Sequence, residues 1–493
     1  MTSIHNLDDD SLLNIFYLCR PSPFEEDEYG AIVWGNWHRE WWWYKFVQVC
    51  RRWRYLIFGS ASHLRLCLVC TRGTPVANML AHSPPLPLII YYNYENHDLT
   101  PEDEEGILLA LQHRDRVCRV ALWMPVASLQ KLLTAIDDEF PVLEFLDIVP
   151  SAKHNTPLIL PSTLEAPHLR HLWLEHFAPP IGSRLLATAT GLVRLFLRWI
   201  HPSTYPHPNH LLQPLSLLPQ LEEFEIGFSS PVPNRDLERQ LLNTPIITYA
   251  TFPNLYRFTF WGVSAYLEAL LPRMTAPLLE RLDIHFFNQL TFSVPHLLQF
   301  MTTTENLRFS SAEFIFYHRA VSVMFSPVEA TPINFTLEVI CGHLDWQVSS
   351  MAQIFNLLSP LFSAVMDLTL VYEEQTLSSE GHNQAARTQW RELLGSFRNV
   401  KTLRVHNGLV GEVSRSLRLN GEPPLELLPE LNELICPQGS RDDRTFAAFI
   451  HERELASQPV NLIEEAFPVG RFNYKFSTSS GVVDFSTDTV PPP

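Results

Sequence analysis

The segment Leu169-Arg170-His171-Leu172-Trp173-Leu174 decides the fold. Its aliphatic residues stand at the first, fourth and sixth places, and the last two alternate with other side chains as on a strand that buries one face. The same spacing recurs at Val117-Val120-Leu122, Leu143-Leu146-Ile148, Leu192-Leu195-Leu197, Leu221-Phe224-Ile226, Leu255-Phe258-Phe260 and Leu279-Leu282-Ile284. It returns at Val365-Leu368-Leu370, Val400-Leu403-Val405 and Leu431-Leu434-Cys436. Among the first group, successive starts lie from 23 residues apart (Leu169 to Leu192) to 34 apart (Leu221 to Leu255). The intervening stretches Ser128 to Ile136, Ser264 to Met274, Val294 to Phe300, Met351 to Leu358 and Thr388 to Phe397 read as helices. A strand–helix unit that cannot cover its own apolar face must stack on its neighbours. The expected fold class is therefore α/β: a curved solenoid with parallel strands on the concave side. Between Asn306 and Ala364 the pattern blurs, and the repeat count there stays open.

From Val117 to Cys436 the strand half of this pattern resembles leucine-rich repeat proteins. The Asn or Cys that such repeats place after the strand is absent, and Ser151, Phe177, Ile200, Ser229 and Val263 stand there instead. The turns must be closed by other means. Upstream, Leu64, Leu66 and Leu68 alternate like a first strand, Thr74 to Ala81 reads as a helix, and Leu86 to Tyr92 as a second strand. Residues 59–116 are expected to cap the solenoid and 117–466 to form it. Residues 467–493, rich in Ser, Thr, Gly and Pro, read as an irregular tail.

The amino-terminal part carries a different pattern. In Trp43 to Phe58, read as one amphipathic helix, Phe46, Val49, Cys50, Trp53 and Ile57 share a face. Before it, Leu7 precedes Asp8-Asp9-Asp10, where an Asp N-cap and following acids start a helix. Leu12, Leu13, Ile15 and Phe16 follow, with Leu12, Ile15, Phe16 and Cys19 on one face. Together these pieces resemble an F-box, and the following run Ser60 to Tyr92 is similar to F-box-like proteins numerous in some fungi. Leu7, Leu12, Leu13, Ile15 and Phe16 match its first half, and Trp43, Phe46, Val49, Cys50, Arg51, Arg52 and Trp53 its second. Asp8 stands where the family has Pro, and the segment from Arg20 to Trp42 is longer than the usual inter-helix loop. The resemblance implies an F-box over residues 1–58 that docks a Skp-type adaptor and, through it, the cullin of a ubiquitin ligase. The adaptor-binding residues would be Leu7, Leu12, Leu13, Ile15, Phe16, Phe46, Val49, Cys50 and Trp53.

The totals exclude several classes. A net charge of −17 with a pI near 5.6 argues against non-specific nucleic-acid binding, which needs phosphate-neutralising cations, and against an anionic membrane surface. No secretory signal and no bilayer-spanning apolar run is visible. The 7 Cys are scattered, as in a reducing compartment, so the expected location is intracellular, cytoplasmic and/or nuclear. The sequon Asn334-Phe335-Thr336 is then expected to be unused.

Candidate chemistry is sparse. Cys67 and Cys70 form a C-x-x-C without the second pair that a zinc site needs, and residues three apart on a strand point to opposite faces. His201, His207 and His210 crowd a Pro-rich stretch that reads as a solvated loop. No P-loop, G-x-S-x-G or H-E-x-x-H occurs, and no nucleophile–base pair stands out, so no catalytic, cofactor or metal site is expected. The acidic run Glu25 to Glu28 reads as solvated, and Glu102 to Glu105 as the start of a helix. Trp34, Trp37, Trp41, Trp42 and Trp43 are costly to leave exposed: they either pack over the F-box helices or the first repeat, or form a second docking surface for the adaptor or a target.

The expected function is a substrate receptor without chemistry of its own, or alternatively a repeat scaffold outside a ligase. Side chains between the apolar triplet positions would face the target, an unidentified protein. Phe145, Arg170, Trp173, Phe196, Tyr256, Arg257, Arg281 and Arg404 are the candidate contacts, aromatics and Arg being the usual hot-spot types.

Overall fold

Apolar residues spaced as above form strands whose inner side chains all go to one side. The computed structural model describes residues 7–20, 42–94, 99–151, 156–229, 246–327, 333–373, 387–417, 427–437 and 444–465. The acidic run at 25–28, Trp34, Trp37, Trp41 and the tail at 467–493 lie outside the described residues.

A 16-stranded sheet runs through the described chain. Its strands are β1 (Leu68–Cys70), β2 (Leu88–Asn93), β3 (Val117–Met124), β4 (Phe145–Pro150), β5 (His171–Glu175), β6 (Arg194–Ile200), β7 (Glu223–Phe228) and β8 (Arg257–Gly262). They continue with β9 (Arg281–Phe287), β10 (Ser311–Phe316), β11 (Val321–Ser326), β12 (Phe335–Ile340), β13 (Asp367–Tyr372), β14 (Thr402–Val405), β15 (Glu433–Pro437) and β16 (Asn461–Glu465). β1 to β9 lie side by side in chain order, followed by β12, β11, β10 and then β13 to β16. β1 and β2 form one edge of the sheet, and β1 starts at Leu68, with Leu64 in the preceding turn.

The parallel register aligns Leu146, Leu172, Leu195, Phe224, Phe258 and Leu282, and beside them Ile148, Leu174, Leu197, Ile226, Phe260 and Ile284. Both rows join one core with the helices between strands. Helix 126–133 contributes Leu129, Leu132 and Leu133, helix 208–215 contributes Leu211, Leu212 and Leu215, and helix 264–270 contributes Tyr266, Leu267 and Leu270. Each such side chain stabilises by roughly 1.5–3 kcal/mol. Backbone bonds to the preceding rung close the turns that lack Asn: Ser151 N–H donates to Met124 O at 3.0 Å and Ser229 N–H to Ile200 O at 2.9 Å.

The region where the sequence pattern blurred departs from the parallel expectation. β10, β11 and β12 form an antiparallel meander, so the chain turns back twice before resuming parallel pairing at β13. Its inward residues are mostly aromatic or β-branched, with Phe325 stacked on Phe362 at 4.6 Å between ring centroids.

The amino-terminal residues make three helices, α1 (Asp9–Leu18), α2 (Tyr44–Val47) and α3 (Arg51–Gly59). Asp8 caps α1, its carboxylate accepting from Ser11 N–H at 2.7 Å. The single helix expected over 43–58 is broken. Cys50 adopts an extended conformation (φ −158°, ψ 170°) and its Sγ accepts from Trp53 N–H, so it caps α3 instead of continuing a stripe. Arg52 ties α3 to α1 through Asp9 (2.6 Å) and Leu7 O (2.6 Å). Trp43 is buried, donating from Nε1 to Cys67 O at 3.3 Å, and so joins the helices to the start of the sheet.

Candidate binding face

Opposite the helices, the sheet presents its other face, and the register arranges its side chains in rows. Arg119, Phe145, His171, Arg194, Glu223, Arg257 and Arg281 form one row. Ala121, Asp147, Trp173, Phe196, Glu225, Thr259 and Asp283 form the next. In a third, Glu175 pairs with Arg198, and Trp261, His285 and Glu338 follow one another.

Several charges in these rows pair with one another. Arg194 Nε lies 2.7 Å from Glu223, which also accepts from the Tyr256 hydroxyl at 2.7 Å. Arg257 and Arg281 share Asp283 at 3.4 and 2.9 Å. Arg198 grips Glu225 with two bonds of 2.5 and 2.7 Å and lies over the Trp173 ring at 4.2 Å, while the Trp173 indole donates to Glu175 at 3.1 Å. Two-pronged pairs of this kind are the stronger charge-assisted bonds. Farther along, Trp261 stacks on His285 at 4.0 Å, and His285 meets Glu338 at 3.1 Å.

The aromatic end of the face is different. Phe145 stacks on His171 at 4.2 Å, and Trp173 leans on Phe196 at 4.9 Å. His171 is buried, with neither ring nitrogen hydrogen-bonded. Burial, then the charges of Arg194 and Arg119, lower its pKa to about 3. Burial also holds the Asp147 carboxyl well above the usual range; the Trp123 indole and Arg198 act against the rise and Glu175 adds to it.

The sequence-predicted contacts fare unequally. Trp173, Arg257 and Arg281 stand half-buried on this face. Phe145 and Phe196 are buried by their row neighbours and form its floor rather than its surface. Arg170 is exposed where the chain enters β5, outside the rows, and Arg404 lies far along the sheet between Thr369 and Ile435. Tyr256 reaches the face only through its hydroxyl. Glu175, Arg198, Trp261, His285 and Glu338 were missed. The first four follow the last apolar residue of a triplet, and extending the alternation by one step finds them; Glu338 lies where the pattern blurs.

At the amino end, Leu12, Phe16 and Trp53 form an internal core, with Phe16 5.0 Å from Trp53 and 5.4 Å from Phe46. Trp53 is therefore not an exposed anchor. Leu7, Leu13, Phe46 and Cys50 are half-buried. Ile15 is exposed instead of sharing the Leu12–Phe16 face, and so is Val49 (56%). Tyr17, Leu18, Tyr44 and Tyr55 are exposed with them.

The metal candidates resolve into structural roles. Cys70 lies in the helix-side core, its thiol pushed up to about 12 by burial, while Cys67 joins Val69 and Ile89 in a separate apolar cluster. His201 and His207 each accept a backbone N–H at 3.2 Å as helix caps. Asp103 of the acidic helix start is buried and accepts from Gly73 N–H at 2.9 Å and from the Tyr94 hydroxyl. Among the described residues no cluster suited to a metal occurs, and no helix is long and apolar enough to cross a membrane.

No protein-family model matches the chain, and no curated protein matches it. Among solved structures, the leucine-rich repeat-containing protein LegL7 from Legionella pneumophila is similar at 12% identity, over 74% of this chain and 98% of that one, with a TM-score of 0.27.

Proposed function

We propose that the protein is a non-catalytic substrate receptor of a Skp–cullin–F-box ubiquitin ligase, acting inside the cell. One observation carries this reading. Leu12, Phe16 and Trp53 pack inside, yet Ile15, Tyr17 and Leu18 of α1, Tyr44 of α2, Tyr55 of α3 and Val49 between α2 and α3 are exposed. Several large exposed apolar side chains on so small a unit support a protein-docking surface. The adaptor docks there, and the open face of the sheet holds the target near the ubiquitin donor, raising its effective concentration.

Co-purification with a Skp-type adaptor tests the proposal. The intact chain is expected to retain the adaptor, and a Leu18→Asp, Val49→Asp double variant to lose it with an unchanged melting temperature. These exposed positions are better probes than Trp53, whose replacement would empty the small core. A folded double variant that still retains the adaptor rejects the docking surface. An intact chain that never binds it leaves a repeat scaffold outside a ligase.

A further inference from the structure

We infer that the open face from β3 to β9 takes an extended acidic segment of a partner protein, with Glu and Asp side chains lying along the row from Arg119 to Arg281. The inference rests on the reading that this face holds a protein target, and is independent of adaptor docking.

The first support is the layering of the ion pairs. The carboxylates are the buried members: Glu223, Glu225 and Asp283 have side chains 4–5% exposed. Their partners Arg194, Arg198, Arg257 and Arg281 are 19–32% exposed. The acids hold the guanidinium groups in place from beneath, and the groups turned to solvent are donors. A guanidinium fork fixed in this way matches a carboxylate.

The second support is His171. It stands in the row between Arg119 and Arg194, with Phe145 intervening on the Arg119 side. It is more than nine-tenths buried, and neither ring nitrogen has a partner. Buried polar atoms rarely stay unsatisfied, and the neutral ring keeps one N–H to donate. Both nitrogens are shut off from solvent, so an acceptor arriving between the two Arg side chains would supply the missing bond as the flanking Phe145 and Phe196 rings shift aside.

Strands about 4.8 Å apart place β3 and β6 roughly 14 Å apart, which an extended peptide spans in about four residues. Acids about four residues apart would therefore reach both Arg119 and Arg194. The chain as a whole carries −17, so its general field repels anions and any acidic ligand must be held locally.

The test uses the full chain and fluorescein-labelled hexaglutamate, read by fluorescence polarisation, beside hexalysine and a Ser-Gly peptide of equal length. Saturable binding of hexaglutamate alone is expected. Arg119→Gln and His171→Phe should each weaken it about tenfold; the Phe keeps a ring on Phe145 but lacks both nitrogens. Lys401→Gln, an exposed position before β14, should leave binding unchanged. Thermal melts check folding, and Arg281→Gln gives the same reading if either variant melts early. Preference for hexalysine overturns the inference, as does hexaglutamate binding that every Arg and His variant leaves intact. Binding of inorganic phosphate without the peptide overturns it too. Adaptor co-purification from the same preparations separates the failures: adaptor without peptide sinks only the acidic segment, and peptide without adaptor sinks only the ligase.

Discussion

The two faces of the sheet bury their deepest side chains by opposite chemistry. On the helix side, Leu172, Leu195, Phe224 and Phe258 stand in register at 0–1% exposure. On the open side, Asp147, Glu223, Glu225 and Asp283 are 1–4% exposed. The helix side loses its water to a layer of apolar helices, an attraction that ignores direction. The open side loses water only to its own side chains, so each buried charge needs a partner on its own strand or the next. One repeat unit is thus nearly interchangeable with the next across its inner face and individually matched across its outer one. A change on the inner face should be felt as lost volume, and a change on the outer face as a neighbour's lost partner.

The largest expected effect breaks the inner face. Leu195→Ala empties a fully buried place between two rungs and should cost about 2–5 kcal/mol in a urea titration. Next comes Glu223→Gln, which removes the carboxylate serving Arg194 and the Tyr256 hydroxyl. Because Arg194 is partly exposed, about 1–3 kcal/mol is expected, with much of it absent when Arg194→Gln is already present. A cost under about 0.5 kcal/mol, within the range of ordinary surface changes, would show that the ladder adds nothing to stability.

Acid sensitivity sharpens the same contrast. His171 stays neutral in the folded chain down to about pH 3, whereas the unfolded chain takes up the proton near pH 6.5. The unfolded state then binds more protons, so stability falls as the pH falls through this window. The loss should be about 1 kcal/mol between pH 6.5 and 5.5, and about 1.4 kcal/mol per unit below that. His171→Phe should flatten this part of the profile in melts against pH. An unchanged acid limb would mean that the ring protonates in place.

The inner face was legible because burial writes itself into spacing. Every triplet from Val117 to Cys436 lies at a strand of the sheet. The meander of β10 to β12 was not legible as such, since alternation is the same for a strand running either way. The outer face was half legible. The period placed Trp173 and Arg257 correctly, but no period says that Phe145 is covered by His171 or that Glu223 joins residues from neighbouring strands. The break at Cys50 escaped because its thiol caps α3, a role that Ser, Thr, Asp or Asn usually fills.

The smallest expected effect lies outside the sheet and marks where the contrast of faces ends. Ile57 is fully buried in the core that α1–α3 share with the start of the sheet, whereas Val49, between α2 and α3, is exposed. Val49→Asp should therefore change stability by no more than about 0.5 kcal/mol, while Ile57→Ala costs several times that. The pair is read by thermal melts of the full chain. If Val49→Asp proves as costly as Ile57→Ala, the chain itself covers Val49 in solution, and the apolar side chains of these helices are core rather than a place for a partner.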